Sequence, residues 1–277
     1  MRKTKIIATL GPASESTEAL KALVHAGVNV FRLNMSHATH EAVRALVPRI
    51  RSVARERDVM IGILMDTQGP AIRTGDLATK LNLKPGDRFE FTVRGERSEE
   101  EYSVDVNYDG LMDDIAVGDT ILVDNGVIHM KVLEKHGKRI QCEVLTEGVM
   151  GSRRHINLPG VKVNLPPLTE KDLADVALGA ELGVDYVALS FCRQPSDVLE
   201  LRSVLRQHGS EARIVAKVED QEAVRNINDI IDVTDGIMVA RGDLGIEYPL
   251  EEVPHLQKKI IRFCVEAGVP GITATQL

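Results

Sequence analysis

Leu182-Gly183-Val184-Asp185-Tyr186-Val187-Ala188-Leu189-Ser190-Phe191 is the stretch from which the fold is read. A helical run ends in a glycine, which takes the left-handed cap at no steric cost, and an apolar strand starts two residues after the following valine. The same grammar recurs at Ala26-Gly27-Val28-Asn29 and at Ala267-Gly268-Val269-Pro270. Each is the helix-to-strand connection of a βα repeat. The helix starts agree: Thr169 with Asp172 makes a capping box, and Pro195 suits a first helical turn. A helix over 39–57 carries Val43, Leu46, Val47, Ile50 and Val53 on one face, and Pro48 inside it predicts a kink or a late start.

Working outward, seven apolar strands are predicted at 5–10, 28–33, 61–66, 186–191, 214–218, 236–240 and 271–274. Their alternation with helices implies a parallel sheet. Between 74 and about 166 the pattern changes to short alternating strands with turns at Lys84-Pro85-Gly86-Asp87, Val117-Gly118-Asp119, Asp124-Asn125-Gly126 and His136-Gly137-Lys138. The predicted class is therefore α/β, a (β/α)₈-type TIM barrel made of 1–73 and 166–277, with an all-β domain inserted at 74–165. The barrel segments fall short of the roughly 250 residues of a typical barrel, and the sequence stops within a residue or two of the seventh strand. A barrel interrupted before its eighth strand is expected.

The 277 residues are 43% apolar with a net charge of −7, which argues against a general nucleic-acid binder, because counterion release needs a concentrated basic face. No apolar run is long enough to span a bilayer, and the three cysteines have no CxxC spacing. A reducing, cytoplasmic setting without nucleic-acid or membrane partners is expected.

Polar residues crowd the carboxyl ends of the strands. Arg32, Asn34 and Ser36 fall at period-two spacing on the second strand, Lys217 and Glu219 on the fifth, Arg241 and Asp243 on the sixth, and Thr273 and Thr275 on the seventh. Residues two apart on a strand share a face, and in a parallel barrel the carboxyl ends meet at one mouth. Any one of these residues reads equally well as an exposed loop charge or an interior ion pair. Recurrence on so many strands favours a site, since burying unpaired charge costs several kcal/mol each. Glu219 and Asp243, with no histidine or cysteine cluster beside them, suit a hard ion such as Mg²⁺. Lys217, Arg32, Arg73 and Arg241 suit an anionic substrate. Cations and a metal around one group are what phosphoryl transfer requires. There is no GxxxxGK[ST] loop and no GxGxxG after a strand.

The motifs then resemble those of the pyruvate kinase family, in the family's order: Lys3-Thr4-Lys5-Ile6-Ile7 with Gly11-Pro12, Arg32-Leu33-Asn34-Met35-Ser36-His37, Asp66-Thr67-Gln68-Gly69-Pro70 with Ile72-Arg73, Asn157-Leu158-Pro159-Gly160, Lys217-Val218-Glu219, Ala240-Arg241-Gly242-Asp243-Leu244-Gly245 and Ala274-Thr275-Gln276. The resemblance implies phosphate transfer from phosphoenolpyruvate to ADP in glycolysis. By it Glu219 and Asp243 bind Mg²⁺ (or Mn²⁺), Lys217 neutralises the moving phosphoryl group, and Thr275 lies where the enolate is protonated. Arg32 holds substrate phosphate, and Ser190, Phe191 and the backbone of Ala240, Arg241 and Gly242 shape the substrate pocket. Asn34, Ser36, Asp66 and Thr67 match a K⁺ site. Arg73, His37, Asn34 and Arg154 match nucleotide contacts. The β-domain is implied to be a lid hinged near Thr74 and Pro166, and the full-length form a homotetramer. Gln68 and Ala71 stand where the commonest family pattern has lysine and glutamate, and Arg153-Arg154 where the lid often carries lysines. K⁺ dependence is still expected, because Asp66 looks uncompensated. Two alternatives stay open: another Mg²⁺-dependent barrel enzyme of phosphoenolpyruvate or pyruvate, and a truncated, non-catalytic fragment.

Overall fold

The structure is a computed structural model and describes residues 3–96, 98 and 100–274. The chain opens with β1 (Ile7–Thr9), α1 (Thr17–Ala26), β2 (Val30–Asn34), α2 (His40–Glu56) and β3 (Gly62–Asp66). It then leaves the parallel sheet for β4 (Leu81–Leu83), β5 (Arg88–Thr92), β6 (Ser103–Asp105), α3 (Leu111–Asp114), β7 (Thr120–Val123), β8 (Ile128–His136), β9 (Arg139–Val144), β10 (Gly148–Met150) and β11 (Ile156–Asn157). The repeats resume with α4 (Glu170–Leu182), β12 (Tyr186–Leu189), α5 (Pro195–Gln207), β13 (Arg213–Val218), α6 (Gln221–Arg225), α7 (Ile227–Ile231), β14 (Gly236–Val239), α8 (Arg241–Glu247), α9 (Val253–Ala267) and β15 (Gly271–Thr273).

The seven strands read from the sequence pair in the order β1-β2-β3-β12-β13-β14-β15, all in parallel. Strands that neighbour in chain order and are separated by helices give the curled sheet of an incomplete barrel. The helix ends explain the order locally. Gly27, Gly183 and Gly268 adopt φ of 99°, 66° and 70° and close α1, α4 and α9. Thr169 and Asp172 form the capping box of α4, and Pro195 opens α5. Pro48 neither delays nor ends α2, which runs unbroken from His40 to Glu56. Its ring faces solvent, so the Arg44 carbonyl that lost its donor lies on the water side of the helix.

The parallel sheet buries both faces. Toward the helices lie Phe31, Ile63, Met65, Val187, Leu189, Ile214, Ala216 and Val218; the other face carries a small layer of Leu64, Ala188, Val215 and Met238. The segment between β3 and α4 has its own core, in which Phe89, Phe91, Ile121, Met130, Ile140 and Val144 are fully buried. Its strands form a six-stranded sheet, β11-β7-β8-β9-β5-β6, and a β10-β4 pair. One correction to an all-β reading is the single turn of α3 at Leu111–Asp114. Among the described residues no helix is long and apolar enough to cross a membrane. Cys142, Cys192 and Cys264 are buried and free.

Candidate active site

The inner face of the parallel sheet changes character two residues beyond its apolar layer. Leu64 is followed by Asp66, Ala188 by Ser190, Val215 by Lys217 and then Glu219, and Val30 by Arg32, each at the spacing that keeps a side chain on one face. A hydrophobic floor thus carries a polar layer at the carboxyl ends of four adjacent strands.

Lys217 is the centre of that layer. Its Nζ lies 2.7 Å from Ser190 Oγ, 2.9 Å from Glu219 Oε1 and 3.2 Å from Asp66 Oδ1. Burial, the largest influence, pulls the ammonium toward neutrality, yet the charges of Glu219 and Asp66 overcome it and hold the group above lysine's ordinary value. Arg32 donates to Asp66 Oδ2 at 2.5 Å and to Thr9 Oγ1 at 3.0 Å. Asp66, which the sequence left looking uncompensated, is therefore paired with two cations. Partnership explains how it can be wholly buried.

The loop after β12 is shaped around this cluster. Ser190 donates from Oγ to the Thr67 carbonyl at 2.7 Å and from its backbone N–H to Thr67 Oγ1 at 3.1 Å; Thr67 Oγ1 in turn donates to the Ala188 carbonyl at 3.1 Å. Phe191 takes a left-handed backbone, φ 52°, and its N–H donates to Glu219 Oε2 at 2.6 Å. A non-glycine residue there is a local cost that the surrounding bonds must offset. Gly69, φ 73°, makes the approach possible, since a Cβ there would stand 2.8 Å from Phe191 Cδ2 and 2.9 Å from Ser190 Cβ.

Asp243 reaches the cluster from a helix. The sequence placed Arg241 and Asp243 on one face of a strand, but β14 ends at Val239 and α8 begins at Arg241. Residues two apart on a helix diverge, so Arg241 turns to the Ala274 carbonyl at 2.5 Å while Asp243 hydrogen-bonds Glu219. Burial, and then the Glu219 charge, hold the Asp243 carboxyl well above the usual carboxylate range. The buried Glu219 carboxylate and the half-buried Asp243 carboxyl beside it form a donor pair suited to a hard divalent ion. Among the described residues no three His, Cys, Asp or Glu side chains cluster as a metal cage. Mg²⁺ fits regardless, because it is commonly held by one or two carboxylates with water and substrate oxygens.

Other sequence-predicted residues sit apart from this knot. Ser36 and His37 are exposed in the turn after β2, where Ser36 N–H donates to Asn34 Oδ1 at 3.2 Å. Arg73 is exposed at the base of the inserted segment, with Nη1 3.3 Å from the Arg153 carbonyl. Arg154 pairs with Asp124 at 3.2 Å. Gly242 is exposed on α8, and Ala240 is buried before it. Thr275 lies outside the described residues.

Three residues of the cleft between the inserted segment and the sheet went unread in the sequence. His155 packs edge-on to Phe191, ring centroids 5.9 Å apart, and burial with the nearby Arg73 charge lowers its pKa to about 4. Arg193 donates to the carbonyls of Val163, at 2.6 Å, and Leu165, clamping the returning strap. Glu247, 8% exposed, is pushed up to about 7 by burial and then by Asp220. Arg193 carried a usable signal, a charge just past a strand end; the other two carried none.

A parallel sheet in chain order, a β-rich insertion after its third strand and a polar knot at the strands' carboxyl ends define an α/β-barrel protein whose site lies at the barrel mouth. More specifically, the pyruvate kinase barrel-domain model matches residues 1–277, and the chain belongs to the pyruvate kinase family. It is 45% identical over 281 residues to a pyruvate kinase of Staphylococcus epidermidis and 46% identical over 282 residues to one of Sporosarcina psychrophila, in each case over 100% of this chain and 48% of the relative. The crystal structure of a pyruvate kinase from Cryptosporidium parvum superposes with a TM-score of 0.96 at 37% identity, over 99% of this chain and 58% of that one. The chain spans about half the length of the curated relatives it matches.

Proposed function

We propose that this chain carries the catalytic site of a pyruvate kinase, transferring the phosphoryl group of phosphoenolpyruvate to ADP. The observation that supports this best is the buried Lys217 ammonium, held among Asp66, Glu219 and Ser190 at the barrel mouth beside the Glu219–Asp243 pair. In the transfer, the bond from phosphorus to the enol oxygen breaks, one to a terminal phosphate oxygen of ADP forms, and the enolate left behind takes a proton to become pyruvate. A fixed cation at the transferring group offsets charge without reorganising, which is the main catalytic term for this chemistry. Lys217 is fixed in that sense by its three bonded neighbours. Arg32, anchored by Asp66, presents its remaining guanidinium edge to substrate phosphate.

Glu219 and Asp243 would hold Mg²⁺ or Mn²⁺, which when bound supplies Lewis-acid stabilisation of phosphoryl oxygens. Ser190 and Phe191, with the backbone of Ala240, Arg241 and Gly242, line the substrate pocket, and Thr275 serves the protonation step. Arg73, His37, Asn34 and Arg154 meet the nucleotide. Asn34, Ser36, Asp66 and Thr67 form the K⁺ site; equal rates in potassium and in tetramethylammonium would remove that assignment. Residues 1–73 and 166–277 form the barrel, and 74–165 act as a lid that excludes water on closure. The test is pyruvate formation from phosphoenolpyruvate, ADP and Mg²⁺ in the protein carrying these residues, set against Glu219→Gln. The variant should lose turnover by orders of magnitude while remaining folded; near wild-type turnover overturns the reading.

A further inference from the structure

Besides the packing of His155 on Phe191, the lid body meets the barrel on the short helix α8. At the tip of the turn between β7 and β8, Gly126 lies where a Cβ would stand 3.3 Å from Ile246 Cγ2. On β11, Asn157 Nδ2 donates to Glu247 Oε1 at 3.5 Å, with both residues buried. Gln221 Nε2 donates to the Glu247 carbonyl at 2.8 Å and ties the end of α8 to the start of α6. The straps on either side of the lid are held differently, by Asp172 at the Gln68 and Gly69 N–H groups and by Arg193 at the Val163 and Leu165 carbonyls.

Helix geometry joins these contacts to the metal pair. Asp243 and Glu247 are four residues apart on α8, so their side chains leave one face of the helix about 6 Å from each other. The residue that meets the lid and the residue that meets Glu219 are one turn apart on a rigid segment only seven residues long. A tilt of α8 that shortens one contact must displace the other. The Asn157–Glu247 bond has room to change: at 3.5 Å it is long, and Asn157 Oδ1 is buried without a partner.

We propose that Asn157 and Glu247 are positioning residues through which the seating of the lid sets Asp243 against Glu219, so that the divalent ion is held tightly only when the lid is down. This rests on the reading of Glu219 and Asp243 as the ion's ligands. Linkage makes the effect reciprocal: whatever factor lid seating adds to cation affinity, the cation adds to lid seating.

The experiment uses Mn²⁺ alone as the probe, with binding followed by electron paramagnetic resonance at pH 8 and strap mobility by hydrogen exchange at residues 69–75 and 157–165. Asn157→Asp sets a second carboxylate against Glu247. It should weaken Mn²⁺ binding about fivefold or more and speed strap exchange. Adding Glu247→Gln to Asn157→Asp replaces the repulsion with a donor facing an acceptor, and both readouts should return toward wild type. A purely structural defect would not be rescued by that second change, and circular dichroism confirms that both variants fold. Ile246→Ala should weaken Mn²⁺ binding in the same direction without adding charge. Faster strap exchange with unchanged Mn²⁺ affinity overturns the coupling while leaving the metal site standing. Mn²⁺ bound equally by wild type and Glu219→Gln overturns the metal site, and the coupling with it.

Discussion

The barrel mouth and the inserted β segment are both built on sheets with apolar cores, yet they treat charge in opposite ways. In the inserted segment the core is apolar, and pairs such as Arg153 with Asp76 stand in solvent, their side chains 75% and 67% exposed. At the mouth Asp66, Lys217 and Glu219 are almost wholly buried and bonded to one another. An exposed pair gains little because water screens it, whereas a buried network holds together because no member can leave without stranding the others. A dense polar knot on a hydrophobic floor is thus a poor way to gain stability and a good way to fix a cation where charge will move.

The largest break in that contrast should come from Lys217→Met, which keeps the stem and removes the charge. Asp66 and Glu219 are then buried with fewer partners, and unfolding in urea should show a loss of about 3–5 kcal/mol along with lost turnover. An unchanged urea midpoint would mean that the knot relaxes into water. Gly69→Ala should cost less, about 1–3 kcal/mol, because its methyl meets Phe191 and Ser190 and the residue must keep φ of 73°. The same variant should lower turnover by displacing Ser190 from Lys217. A crystal structure of the variant with Ser190 Oγ still 2.7 Å from Nζ would refute that route.

Glu247 sharpens the comparison at the seam between the two regions. Its carboxyl is raised from 4.5 to about 7 by burial and then by Asp220, so its favourable share of stability is complete below about pH 4.5 and is lost as pH rises through 7. Glu247→Gln stays neutral throughout. It should flatten the decline in stability over that window by up to about 1.4 kcal/mol per pH unit, read from urea midpoints at pH 5, 6 and 7. Parallel curves for variant and wild type would place Glu247 in contact with water. The smallest effect belongs to Arg153→Ala in the inserted segment, where the exposed pair with Asp76 should be dispensable and the urea midpoint unmoved. A shift there comparable to that of Lys217→Met would erase the distinction between the two regions.

Much of the site was legible because strand periodicity is two. Once Lys217 and Glu219 fall on a strand's carboxyl end, they share a face, and they are 2.9 Å apart. The same rule misread Arg241 and Asp243. The chain turns helical directly after Val239, and no local signal in Ala240-Arg241-Gly242-Asp243 separates a strand extension from a helix start. Pro48 does not delay the start of α2 for a related reason: its cost depends on which side of the helix loses a donor, and that side is solvent. Asp66 was misjudged because its compensating cations, Arg32 and Lys217, lie 34 residues before it and on a strand beyond the insertion.

The repeat, the strands, the inserted β segment and the residue types gathered at the mouth were all readable from the order of amino acids. These follow from local rules: glycine caps, apolar periodicity, and the cost of placing charge in a strand without a purpose. Only the folded chain sets which charges pair, which way α8 turns its carboxylate, and which residues of the inserted segment touch the barrel. Pairings of that kind depend on through-space distances between segments far apart in the chain, as with Asn157 and Glu247, and no local pattern encodes a distance that only folding closes.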